Sequence, residues 1–275
     1  PVTSVDIIAL PVAAASSKLK GNPSLLLIKT AILACCQNFL NGCPWDIEQT
    51  SKSLSKYTLE EAYEVVEAIE KGNFNELEDE LGDLLLQVIY HSVIAEEKKK
   101  FTINNVIEKS VEKMKLRHPH IFLKDNSIKS IQDVNNFWEY QKKIERKKKG
   151  SNSALDGVST SLPAVTRSLK LQKRASKEGF DWNNAQDTLK KVKEELSELT
   201  IEMKGSNKKR IKEELGDLLF SCINLSRKLG LDTETVIRES NRKFEKRFKK
   251  MEKNMNSKKL DWKLKNLEKE WEKSK

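Results

Sequence analysis

Turn-forming residues are scarce in this sequence. Six prolines and ten glycines in 275 residues are too few for a turn-rich β fold, and no segment alternates apolar and polar residues for long. Cysteine is scarce too. Cys35, Cys36, Cys43 and Cys222 form neither a CxxC pair nor an evenly spaced framework, which argues against a structural zinc site and a disulfide scaffold. No apolar run reaches the ~20 residues that span a bilayer. Val5 to Ala15 has the look of a signal core, but it carries Asp6 and Pro11 and lacks a basic flank. The expectation is a reduced, cytoplasmic protein that does not enter a membrane. Neither GxxxxGK[ST] nor GxGxxG occurs, so a glycine-loop nucleotide cradle is not supported.

Charge and helical periodicity are plentiful. Charged residues make up 33% and apolar residues 37%, with a net charge of +10. Such a balance suits an anionic partner. The lysines, however, are spread along helical segments as a solvated surface would have them, so nucleic acid is not the expected partner. Apolar residues recur at helical spacing over 24–39, 47–71, 75–98, 103–117, 133–149, 162–177, 185–204, 208–229 and 233–253. Cys43-Pro44-Trp45-Asp46 reads as a rigid elbow. The order of helices repeats, which predicts an all-α fold of two tandem four-helix bundles joined by a linker. The domains expected are a poorly ordered segment 1–23, a first bundle 24–145, a Gly- and Ser-rich linker 146–161, and a second bundle 162–275.

One stretch occurs twice in one register. Glu61, Glu64, Glu80 and Asp83 recur 134 residues later as Glu195, Glu198, Glu214 and Asp217. Residues three and four apart share a helix face, so each set places two carboxylates on one helix and two on its antiparallel neighbour. Inward-facing carboxylates repel unless protonated or neutralised. A hard divalent cation such as Mg²⁺, with Mn²⁺ as a substitute, takes oxygen ligands and keeps positions open for water and phosphate. The apolar context Leu-Gly-Asp-Leu-Leu argues against full exposure of Asp83 and Asp217. Gly82 and Gly216 lie mid-helix at a cost of about 1 kcal/mol each, which close helix approach or room for a ligand would explain.

Basic residues follow the same plan. Lys113 and Arg117 recur 130 residues on as Lys243 and Arg247, each pair on one helix face and able to grip phosphate oxygens. Asn241 accompanies the second pair, where the first copy has Val111. His118 and His120 flank Pro119 and read as a helix terminus rather than metal ligands. Trp262 and Trp271 lie in the C-terminal tail, where packing and base stacking are equally open.

These residues resemble the MazG nucleoside triphosphate pyrophosphohydrolases, part of the all-α superfamily that includes dimeric dUTPases. The resemblance is carried by Glu60-Glu61-Ala62-Tyr63-Glu64 with Glu80 and Asp83, and by Glu194-Glu195-Leu196-Ser197-Glu198 with Glu214 and Asp217. Further similar stretches are Gly42 to Asp46, Arg117 to Phe122, Leu169 to Ala175, Gly179 to Trp182 and Asn241 to Phe248. It implies Mg²⁺-dependent hydrolysis of an NTP or dNTP to the monophosphate and pyrophosphate in nucleotide-pool control, by a homodimer. It implies metal ligation and catalysis by Glu195, Glu198, Glu214 and Asp217. Nucleotide contacts are implied for Lys191, Arg210, Glu213, Lys243, Arg247 and Trp271. The first copy keeps the carboxylates but lacks the asparagine, so its nucleotide grip is expected to be the weaker. The alternative is a non-catalytic helical regulator that binds nucleotide or nucleic acid without turnover.

Overall fold

The computed structural model describes residues 42–122, 130–148 and 150–274. The N-terminal segment 1–23 and the helix expected over 24–39 lie outside them. Every regular element among the described residues is a helix. Contacts divide the chain into two units, Pro1–Phe137 and Trp138–Lys275.

The first unit contains α1 (Pro44–Ile47), α2 (Ser51–Lys71), α3 (Phe74–Glu97), α4 (Ile103–Arg117) and α5 (Pro119–Phe122). The rigid elbow expected at residues 43–46 is mostly helical. Pro44 begins a single helical turn, where its missing N–H costs nothing. The long helix therefore starts at Ser51 rather than 47. Thr50 sets that start: its hydroxyl accepts from the Ser53 N–H at 3.1 Å while its own N–H donates to the Ser53 hydroxyl at 2.9 Å. α2 ends at Gly72, whose φ of 66° is the left-handed cap. Asn73 then caps α3 by accepting from the Glu76 N–H at 3.3 Å. Two residues thus turn the chain through a tight antiparallel corner. Leu54 from α2 packs with Ile89, Tyr90, Val93 and Ile94 from α3 as the core, with Tyr57 and Leu86 against it. The buried Asp46 of α1 accepts from the Tyr90 hydroxyl at 2.9 Å. Its second oxygen has no partner among the described residues.

The boundary between units falls inside α6 (Ile131–Lys148). The second unit continues with α7 (Ala164–Lys177), α8 (Ala185–Gly205), α9 (Lys208–Lys228), α10 (Thr233–Ser257) and α11 (Leu264–Glu272). Residues 150–161 of the expected linker run in turns that α7 ties down. Asp156 accepts from the Asn152 and Ser153 N–H groups at 2.8 Å, and Arg174 donates to the carbonyls of Ala154 and Asp156. α8 and α9 repeat the antiparallel pair of the first unit, with Asn184 and Asn207 as the N-caps. Ser206 stands at the left-handed position that Gly72 fills in the first copy, at φ 58°. α7 crosses to α9 where the buried Gln172 donates to the Phe220 carbonyl at 2.8 Å. The C-terminal tail, for which the sequence reading assigns no helix, forms α11. Its buried Glu270 receives Lys258 and Lys273 at 2.6 Å each.

Tyr90→Phe leaves both oxygens of a buried carboxylate unpaired, and desolvation then counts in full. The expected loss is about 1–3 kcal/mol of unfolding free energy, read from urea denaturation with an unchanged m-value. Wild-type stability in that variant would show that the Asp46 bond contributes nothing net.

Candidate functional site

α2 and α3 carry the first carboxylate set, α8 and α9 the second. The structure closes each set around three of its four members. In the first copy, oxygens of Glu61, Glu64 and Glu80 lie within 4.8 Å of one another. In the second, Glu195, Glu214 and Asp217 do so within the same 4.8 Å. Asp83 and Glu198 stand just outside the triads but act on them. Asp83 bears electrostatically on Glu61 and Glu80, and Glu195 and Glu214 bear on Glu198.

Burial differs from the sequence expectation. Asp83 and Asp217 are exposed, as are Glu64 and Glu198. The apolar neighbours that were to cover the aspartates are themselves half open in the single chain: Leu81 is 49%, Leu85 48%, Leu215 45% and Leu219 57% exposed. Gly82 and Gly216 have nothing within 4 Å of where a β-carbon would stand. Among the described residues close helix approach is therefore not their reason, and open space beside the carboxylate pairs is what they leave.

Electrostatics set the triads apart from ordinary surface acids. Desolvation, then Asp83 and Glu64, push the Glu61 carboxyl above the usual range. Glu80 is raised by desolvation, then by Glu64 and Asp83. Glu198 is raised by desolvation, then by Glu195 and Glu214, with Lys191 opposing. Lys191 reaches Glu194 at 2.7 Å and the buried Glu195 at 2.8 Å. Oxygen-only donors held this close fit a hard dication and suit neither softer metals nor a closed four-ligand zinc centre.

The remaining expected residues lie on three further elements. Lys113 is exposed on α4, and Arg117 half-buried at its end. Asn241 and Lys243 are exposed and Arg247 half-buried on α10, and Lys113, Lys243 and Arg247 form no ion pair among the described residues. Arg210 and Glu213 are exposed on the first turns of α9. Trp271 lies half-buried on α11 with its ring 5.3 Å from Phe244, the residue after Lys243. Trp271 thus packs on α10, while Trp262 is 52% exposed. His118 Nδ1 meets the Met114 carbonyl at 2.8 Å, as a helix terminus does.

Sequence reasoning missed two charged anchors. Asp181 binds Arg227 and Lys228 at the end of α9. Burial opposes its ionisation, and those two cations overcome burial and hold it below the usual range. The other anchor is Glu270. The Gly179-Phe180-Asp181-Trp182 turn was visible as a motif, but its basic partners lie 46 and 47 residues away, beyond any local pattern.

Comparison with known proteins gives one family. The model of the MazG nucleotide pyrophosphohydrolase domain matches twice, over residues 49–122 and 183–251, and each match spans one carboxylate set. A nucleoside triphosphate pyrophosphohydrolase of Escherichia coli (strain K12) is 42% identical over 214 residues, 77% of this chain and 81% of that protein. The nucleoside triphosphate pyrophosphohydrolase/pyrophosphatase MazG of Thermotoga maritima is 40% identical over 239 residues, 85% of this chain and 89% of that one. A nucleoside triphosphate pyrophosphohydrolase of Mycolicibacterium smegmatis is 41% identical over 139 residues, 50% of this chain and 42% of that one.

The raised carboxyls carry a pH signature. The folded chain holds protons that the unfolded chain has released, so stability falls as pH rises from the ordinary carboxyl value of 4.5 through the raised folded values. A divalent cation binds the ionised form and reverses that loss. Thermal denaturation should show a larger Mg²⁺-induced rise in Tm at about pH 7.5 than at about pH 5. Equal rises would place the cation elsewhere.

Proposed function

The chain belongs to the MazG nucleotide pyrophosphohydrolase family, and we propose that it hydrolyses nucleoside triphosphates to the monophosphate and pyrophosphate. The observation that carries this reading is the pair of three-carboxylate clusters, one inside each matched region. A divalent cation, Mg²⁺ in preference to Mn²⁺, bound by Glu195, Glu214 and Asp217 with Glu198 adjoining, would polarise the phosphate and acidify a bound water. The second copy is the more complete site, since it has Asn241, Lys243 and Arg247 on α10 beside the Trp271 ring. The first would hold its cation through Glu61, Glu64, Glu80 and Asp83, with Lys113 and Arg117 as its basic pair.

Glu198 suits the general base. It is exposed enough to meet water and basic enough, through local desolvation and its acidic neighbours, to take a proton. The water oxygen bonds to the α-phosphorus, its proton passes to Glu198, and the α-phosphorus to bridging-oxygen bond breaks. Pyrophosphate departs with its charge met by Lys243 and Arg247, which share one face of α10 and have no competing ion pair among the described residues. Lys191, Arg210 and Glu213 would complete the nucleotide contacts.

A homodimer supports the same reading. Leu189, Leu196 and Met203 recur every seven residues along α8 and are exposed, as are Leu215 and Leu219 on α9. Leu81, Leu85 and Val88 form the like stripe on α3. Apolar stripes at this spacing are built to meet other helices. No described helix is long and apolar enough to cross a membrane, and nucleotide substrates agree with a cytoplasmic site of action.

Two measurements test this. Incubation with mixed NTPs and Mg²⁺ should release monophosphate and pyrophosphate; diphosphate and phosphate, or salt-sensitive nucleic-acid binding without turnover, would overturn the reading. Glu198→Gln should lower turnover by roughly 10²–10⁴-fold at the second site with helical circular dichroism unchanged. Separately, Leu215→Glu with Leu219→Glu should halve the mass found by sedimentation, and a monomeric wild type would end the dimer proposal.

A further inference from the structure

The two clusters differ at one corresponding position. One helical turn before Glu61 stands Tyr57, and one turn before Glu195 stands Lys191. Lys191 lies 2.8 Å from Glu195, whose side chain is only 7% exposed, and 2.7 Å from Glu194. The side chain of Lys191 is itself 32% exposed, so the ammonium sits at the mouth of the cluster rather than on open surface. Tyr57 brings no charge. Its ring packs edge-on to Trp45 at 6.1 Å and lies under the Lys56 ammonium at 4.6 Å, away from an ion-pairing role. Among the described residues the first cluster therefore contains acids alone, and the second contains acids with one resident cation.

We propose that Lys191 is a built-in counter-ion that holds Glu195 while the second site lacks metal and is released to an incoming phosphate, which couples metal binding to nucleotide binding at this site and leaves the Tyr57 site uncoupled. The proposal rests on the carboxylate clusters being the cation sites. A dication at Glu195 must either displace the ammonium or share the carboxylate with it. Both weaken binding, the first by breaking a close ion pair and the second by repulsion at short range. A triphosphate relieves the conflict. The lysine stem is long and flexible, and its three donors suit phosphate oxygens as well as carboxylates. Phosphate that draws Lys191 off Glu195 improves the cation site, and by reciprocity the cation improves phosphate binding. At the first site no ammonium has to be displaced, so cation binding there lacks this lysine-mediated coupling to substrate.

The test is calorimetric titration of Mn²⁺ alone into the full chain after chelator treatment, with circular dichroism as the folding check. Lys191→Met and Lys191→Gln should each tighten one class of site by on the order of tenfold, while raising KM for nucleotide. Lys191→Arg keeps the charge and should leave Mn²⁺ affinity as in the wild type. Tyr57→Lys should weaken the other class by a similar factor. Unchanged or weaker Mn²⁺ binding in both neutral variants at Lys191 overturns the proposal. Glu214→Gln separates the two levels: if it leaves Mn²⁺ binding intact, the carboxylates are not the site and the reading beneath fails with it. If it removes a binding event while the Lys191 variants change nothing, only the counter-ion role falls.

Discussion

Carboxylates gathered on two neighbouring helices push one another apart, and each copy of the repeat is arranged to withstand that push. The restraint is not in the acids. It lies in the corner that joins the helices, where a left-handed residue and an asparagine cap reverse the chain in two positions. It lies also further along the pair, where the Leu54 and Tyr90 cluster in one unit binds the helices through apolar contact. Repulsion at one end of a helix pair is thereby offset by packing at another. The raised Glu61, Glu80 and Glu198 carboxyls are the residue of that contest, and they make the clusters receptive to a dication in a way that scattered surface acids are not.

Given this frame, the duplicated halves have taken different courses. The second copy matches its acids with a lysine, places Lys243 and Arg247 on α10, and braces that helix with α11 through Glu270 and the Trp271–Phe244 contact. The first copy has Tyr57 for the lysine and Val111 for the asparagine. Its cluster is the more purely acidic. A family whose members are named for nucleotide hydrolysis thus contains, in one chain, two versions of a carboxylate cluster with different surroundings.

Much of this was legible before any coordinates. Helix ends are written locally, in Thr50, Asn73, Asn184, Asn207 and Asp232, whose side chains cap the turns they precede. The four-acid register was legible because it is repeated, and repetition separates a pattern from chance. The exposure of Asp83 and Asp217 was not legible, because sequence neighbours on a helix point to other faces, and Leu81 and Leu85 cover nothing near the acid in a single chain. The split of each set into three and one depends on side-chain reach between helices, which spacing alone does not give. α11 had a signal, Leu264, Leu267 and Trp271 at helical intervals, that was masked by its many charges. The Asp46–Tyr90 and Asp181–Arg227 pairs join residues more than forty positions apart and have no local signature at all.

The bare backbone at Gly82 and Gly216 has a mechanical consequence. Each glycine sits inside a carboxylate pair, between Glu80 and Asp83 or between Glu214 and Asp217, with nothing within 4 Å of the missing β-carbon. A helical turn without that carbon yields more readily, since its backbone is hydrated and its torsions are less confined. The rest of α3, locked by Ile89, Val93 and Ile94, does not yield. Such a helix combines a packed stretch with one less confined turn at the carboxylate pair. Mg²⁺ demands short bonds of nearly fixed length and angle, and a less confined turn lets paired oxygens settle to those lengths by local adjustment, without strain reaching the core.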